Sequence, residues 1–127
     1  MTTELRDPAL SILTVLAGGR RHGYAIIKEA DDLTDGRVRL KVSSLYAALD
    51  RLEAEGLTRR DGDEAVDGRL RRYFALTDAG AEALRVQTER LEAQARIARE
   101  RLASRHAASV ALVAPLTRRA TFGGGAA

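Results

Sequence analysis

SSLYAALDRLEAEGL, residues 43–57, decides how the rest of the chain is read. Leu45, Ala48, Leu49 and Leu52 fall at i, i+3, i+4 and i+7, which is one face of an α-helix. Ser43 reads as the N-cap, with an oxygen suited to the unpaired N–H groups of a first turn. Gly56 closes the helix. Tyr46 stands one step off the apolar stripe, so it lies at the edge of a core or outside it. The first turn therefore offers hydroxyls and backbone N–H groups to whatever approaches it.

Upstream, Asp7-Pro8 predicts the start of a helix, because proline fits a first position whose N–H is unpaired anyway. Leu10, Ile12, Leu13, Val15 and Leu16 follow, enough apolar positions for burial on more than one side. Gly18-Gly19 ends that helix. A second helix is expected from about Gly23 to Leu33, with Tyr24, Ile27 and Ala30 on one face and Ile26 and Leu33 extending it. That spacing predicts Tyr24 as a core residue. Residues 37–42, RVRLKV, alternate basic and apolar side chains and predict a strand with Val38, Leu40 and Val42 inward.

Downstream, LTRRD (57–61) and RLRRYFALT (69–77) flank GDEAVDG and predict a hairpin with a long acidic tip carrying Asp61, Asp63, Glu64 and Asp67. Thr77 caps a last helix that runs to about Ser104, roughly 40 Å at 1.5 Å per residue. Leu84, Thr88, Leu91, Ala95, Ala98 and Leu102 alternate four and three apart along it, a coiled-coil seam. Arg85 with Glu89, and Glu92 with Arg96, flank the seam at i,i+4. So long and narrowly striped a helix calls for a partner helix, most simply from a second copy of the chain. A solvated helix folded back on its own domain is the alternative. Residues 105–114 stay Ala-rich and could prolong the helix, and residues 115–127 are expected to form a flexible tail.

The order is helix, helix, short strand, helix, hairpin, long helix. It predicts a mainly α fold with a small β-hairpin wing: a winged helix-turn-helix over residues 1–77, then a dimerisation helix and extension over 78–114. The third helix of such a fold is of a size that the major groove admits.

Composition narrows the function classes. The 127 residues include no cysteine, which removes disulfides, thiolate metal sites and a cysteine nucleophile, and suits a reducing cytoplasm. No Ser/His/Asp set, phosphate loop or paired carboxylates suggests catalysis. His22 and His106 lack partners at metal-ligand spacing, so no metal or cofactor is expected, and His22 is read as bonding locally in its turn. No run reaches the roughly 20 apolar residues that span a bilayer, and MTTELRDPAL lacks the charged and apolar regions of a secretory signal. The net charge is +3, yet residues 1–77 carry 13 basic and 13 acidic residues. Bulk charge thus places no polyanion on the N-terminal part; local patterning must do so.

Three motifs in order resemble the PadR family of transcriptional regulators, of the short type with a single C-terminal helix. They are LSILTVLAGGRRHGYAIIKEA (10–30), SSLYAALDRLEAEGL (43–57) and GRLRRYFALTDAGAEAL (68–84), within a resemblance covering about residues 8–103. The chain departs from the family pattern at Ser43-Ser44, often Gly-Thr; at Leu70, often Pro; at Tyr73-Phe74, often Tyr-Tyr; and in its acidic wing tip. Together with the seam of the long helix, the resemblance points to a homodimeric transcriptional regulator, a repressor, that binds double-stranded DNA at inverted-repeat half-sites. It also implies a small-molecule effector between the long helices and helix 1. Some relatives stack aromatic drugs on tryptophans there, and this chain has no tryptophan.

Candidate DNA contacts are Lys41, Ser43, Ser44, Tyr46 and Arg51 around the third helix, and Arg69, Arg71 and Arg72 in the wing. The resemblance brings Tyr46 to the DNA backbone; packing at the helix edge is its alternative role. Ser43 can be a plain cap, and the wing arginines can pair with the acidic residues instead. Candidate dimer contacts are Leu84, Leu91, Ala95, Ala98 and Leu102. A protein-interaction module that has lost DNA binding is the competing function.

Overall fold

The computed structural model describes residues 7–126, with side chains for residues 8–113. Its elements are α1 (Asp7–Ala17), β1 (Arg21–His22), α2 (Gly23–Leu33), α3 (Val42–Ala54), β2 (Thr58–Val66), β3 (Arg69–Leu76) and α4 (Asp78–Ala126). This is a winged helix-turn-helix with a long C-terminal helix. Contacts divide the chain into two units, Met1–Thr88 and Glu89–Ala127. The side chain of Asp7, expected to cap α1, lies outside the described residues, as do the side chains of the expected tail at 115–127.

The core of the first unit is aliphatic. Ile12, Leu13, Val15 and Leu16 of α1 meet Ile26 and Ala30 of α2, and Leu45, Leu49 and Leu52 of α3, with Leu40, Leu57 and Phe74 completing the cluster. Each large side chain buried this completely contributes about 1.5–3 kcal/mol. The stripe read from residues 43–57 is thus the inward face of α3, with Ala48 half-buried beside it.

The end of α3 is locked to the start of α4. Gly56 adopts φ +76°, its N–H donates to Glu53 O (2.9 Å), and Leu57 N–H donates to Leu52 O (2.9 Å). These two bonds satisfy the carbonyls left open at a helix end. The Thr77 hydroxyl donates to Gly56 O (2.6 Å) and accepts from Gly80 N–H (3.0 Å), so Thr77 caps α4 as its position predicts.

Several expectations are corrected. RVRLKV is not a strand. Residues 37–41 have no ladder partner, because the free edge of β3 is taken by β1, through Arg21 opposite Phe74 and His22 opposite Tyr73. Leu40 is buried as the alternation predicts, but Val42 is 62% exposed and opens α3. Ser43 is not the cap of α3. Lys41 holds that position without a side-chain bond, since the helix starts one residue earlier. Tyr24 is 74% exposed, because Gly23, Ile26 and Ala30 form the buried stripe of α2. The wing has no long tip. β2 and β3 pair out to Val66 opposite Arg69, and only Asp67-Gly68 turns, with φ of 50° and 74°. Aspartate followed by glycine suits such a turn, which needs positive φ twice. α4 continues past Ser104, because Ala107, Ala108 and Ala111 favour helix.

Candidate nucleic-acid interface

The first turn of α3 is exposed. Lys41, Ser43, Ser44 and Arg51 are all open to solvent, and Tyr46 is 40% exposed. Neither serine hydroxyl is hydrogen-bonded among the described residues, so both remain free for an incoming acceptor or donor. At 3.6 residues per turn, Ala47 and Asp50 stand on the same outward face as Ser43. They were missed in the sequence because neither is basic.

Tyr46 leans from α3 toward the sheet. Its ring lies 6.3 Å from that of Phe74, tilted by 60°. Its hydroxyl rests over Gly23, the first residue of α2. That helix is capped by His22, whose Nδ1 accepts from Ala25 N–H at 3.3 Å, the local bond expected for this histidine.

The wing arginines divide by strand alternation. Arg72 and Leu70 share the face of Phe74, while Arg69 and Arg71 share the opposite face with Tyr73. Arg71 stands opposite Glu64, and Arg72 opposite Asp63. Yet the ion pairs among the described residues leave all three arginines out. Glu64 accepts instead from the Tyr73 hydroxyl at 2.9 Å, and Asp61 is held by Arg59 at 2.9 Å. Arg20 fastens the base of the wing. Its guanidinium lies 4.1 Å over the Tyr73 ring and donates to Asp61 O at 2.8 Å. The β2–β3 register slips between Arg60 and Asp63, a bulge beside that anchor.

These pieces enclose a cleft of about 370 Å³ lined by His22, Gly23, Tyr24, Tyr46 and Arg69 to Arg72. The structure therefore brings together Tyr46 and the three wing arginines. It adds Tyr24, whose misreading as core had hidden it. Lys41, Ser43, Ser44 and Arg51 lie on or before α3, outside the cleft lining. Arg39, on the extended segment before α3, is also exposed and only loosely paired with Asp31 at 3.7 Å. Of the candidate dimer residues, Leu84 is half-buried against the core of the first unit. In the second unit Ala95 is half-buried and Ala98 exposed, while Leu91 (44%), Ile97 and Leu102 (63%) are exposed apolar residues of α4.

Three helices, a two-stranded wing and an open first turn on the third helix define a winged helix-turn-helix protein of the regulator type. The pattern of the transcriptional regulator PadR-like family matches residues 12–86, and the chain belongs to that family. It is similar to a transcriptional regulator of Mycobacterium tuberculosis, 38% identical over 87 residues, covering 68% of this chain and 78% of that one. Among solved structures it resembles a transcriptional regulator from Clostridium thermocellum (26% identity, TM-score 0.61, 72% of this chain and 88% of that one). It also resembles Bacillus subtilis PadR, solved in complex with operator DNA (25% identity, TM-score 0.54, 60% and 43%). The chain spans 63% and 21% of the lengths of two further curated relatives that it matches.

Proposed function

We propose that this chain is a sequence-specific, DNA-binding transcriptional repressor that acts as a homodimer in the cytoplasm. The observation that carries the reading is the exposure of the α3 first turn, together with a cleft lined by Tyr46 and three wing arginines that make no ion pair among the described residues. Ser43, Ser44 and the N–H groups of that turn address phosphate oxygens or base edges. Lys41 and Arg51 supply cationic contacts, and Arg69, Arg71 and Arg72 neutralise backbone phosphates. The relative solved on its operator supports DNA as the partner.

In this reading residues 1–77 bind DNA and residues 78–114 pair with a second copy through Leu84, Leu91, Ala95, Ala98 and Leu102. The exposed leucines of α4 support that pairing. A twofold dimer presents two α3 helices to an inverted repeat. A small molecule held at the dimer interface relieves repression by favouring the DNA-incompetent state.

The test is binding selection from genomic fragments followed by gel shifts over a salt series. Several phosphate contacts make log K fall steeply with log salt, by about 0.9 per contact. A flat response, or no shift on any fragment, overturns the reading. It would favour the interaction module, for which the acidic residues of β2 speak.

A further inference from the structure

Gly23 opens α2 with an ordinary backbone conformation, so its lack of a side chain does not serve a left-handed φ. It serves space. A Cβ at this position would stand 2.8 Å from the Tyr46 hydroxyl oxygen and 3.3 Å from both Tyr46 Cζ and Leu45 Cδ2. Glycine inside a helix is otherwise a poorer choice than alanine, because it loses more conformational freedom on folding. What would be displaced is the free end of a side chain, not backbone. The fold can therefore tolerate a methyl group at 23, but the phenol cannot stay where it is. The Phe74 ring lies 6.3 Å from that of Tyr46, so the phenol packs near both a ring and a bare α-carbon.

We propose that Gly23 is a positioning residue: it makes the seat that holds the Tyr46 hydroxyl in the cleft that Arg69 to Arg72 also line. This rests on the DNA-binding reading for its consequence, though not for its geometry. With the seat filled, the phenol swings out of line with the phosphate it would meet, and affinity falls although no contacting group has been removed.

The experiment is a double-mutant cycle on the full chain with Gly23→Ala, Tyr46→Phe and both together. Affinity is measured on a duplex isolated by the genomic selection. The ring resonances of the three tyrosines are followed by NMR without DNA, with Tyr46→Phe as the assignment control and circular dichroism as the check on folding. Tyr46→Phe is expected to weaken binding about tenfold, the worth of one hydrogen bond to a charged group. Gly23→Ala should do about the same. The double variant should be no more than about twofold weaker than Tyr46→Phe alone, because both changes remove one interaction. The Tyr46 resonance should move in Gly23→Ala while that of Tyr73 stays. Losses that multiply to about a hundredfold, or a Tyr46 resonance that does not move, overturn the proposal. A resonance that moves while every variant binds DNA as the parent does supports the seat and overturns the DNA role of Tyr46.

Discussion

Gly80, in the first turn of α4, passes so close to Leu57 that a Cβ on it would stand 2.0 Å from the Leu57 carbonyl oxygen. The same carbonyl accepts from Thr77 N–H at 3.2 Å, so it cannot turn away without breaking the join between α3 and α4. Gly80→Ala is therefore expected to destabilise the first unit by about 3 kcal/mol or more, against overpacking costs typically of 1–3. A thermal melt would read this as a fall of roughly 10–20 °C. A melt unchanged to within a degree or so would show that the join is looser than the geometry implies.

Thr58 is 2% exposed, and its hydroxyl oxygen has no hydrogen-bond partner among the described residues. Burying an unpaired hydroxyl costs about 1–3 kcal/mol. Thr58→Val keeps the shape and removes that cost, so stability should rise by roughly 1 kcal/mol in denaturant unfolding. A loss of stability would mean that the hydroxyl is bonded in solution.

The division of the wing arginines by face yields an ordering. Both Arg71 and Arg72 stand opposite an acidic residue, but Arg72 shares the strand face of Phe74, whose ring lies 6.3 Å from that of Tyr46, so Arg72→Ala should weaken DNA binding more than Arg71→Ala. Each lost phosphate contact should lower the slope of log K against log salt by about 1. Gel shifts across a salt series check this; equal effects, or unchanged slopes, would count against it.

Leu91→Ala should weaken self-association, because Leu91 is a large apolar residue of α4 that is 44% exposed in the single chain. Truncating a leucine that becomes buried costs about 2–5 kcal/mol. Sedimentation over a dilution series should show dissociation at a higher concentration than for the parent. An unchanged mass and melt would remove Leu91 from the interface.

Glu82 accepts from Arg85 Nε at 2.9 Å, and this hydrogen bond holds its carboxyl below the ordinary carboxylate value. Because the folded value is the lower one, the pair supports α4 above the unfolded-state value and ceases to do so as pH falls through the folded one. The site is open to solvent, so salt should weaken the pair. An NMR titration of Glu82 should move back toward the ordinary value in Arg85→Ala.

Much of this was legible in local pattern. The 3.6-residue stripe of Leu45, Ala48, Leu49 and Leu52 named the buried face of α3, since a helix buries whatever its period collects on one side. Thr77 and Gly56 announced helix ends through chemistry carried by single residues. Asp67-Gly68 carried a turn signal too, but the run of acidic residues around it suggested a longer tip. Alternation in RVRLKV correctly marked Leu40 for burial, yet wrongly marked a strand. Alternation says only that an extended chain buries one side. A strand also needs a neighbour with unpaired N–H and C=O groups.

The sequence by itself determined the helices, the paired strands of the wing and the aliphatic core, because period, capping and turn chemistry act over a few residues. Only the tertiary structure decided that Arg21–His22 takes the sheet edge, that Tyr24 turns outward, and that Gly23 and Gly80 are glycines for want of room. Those facts depend on which surfaces meet across 20 or more residues of chain. No local pattern carries that distance.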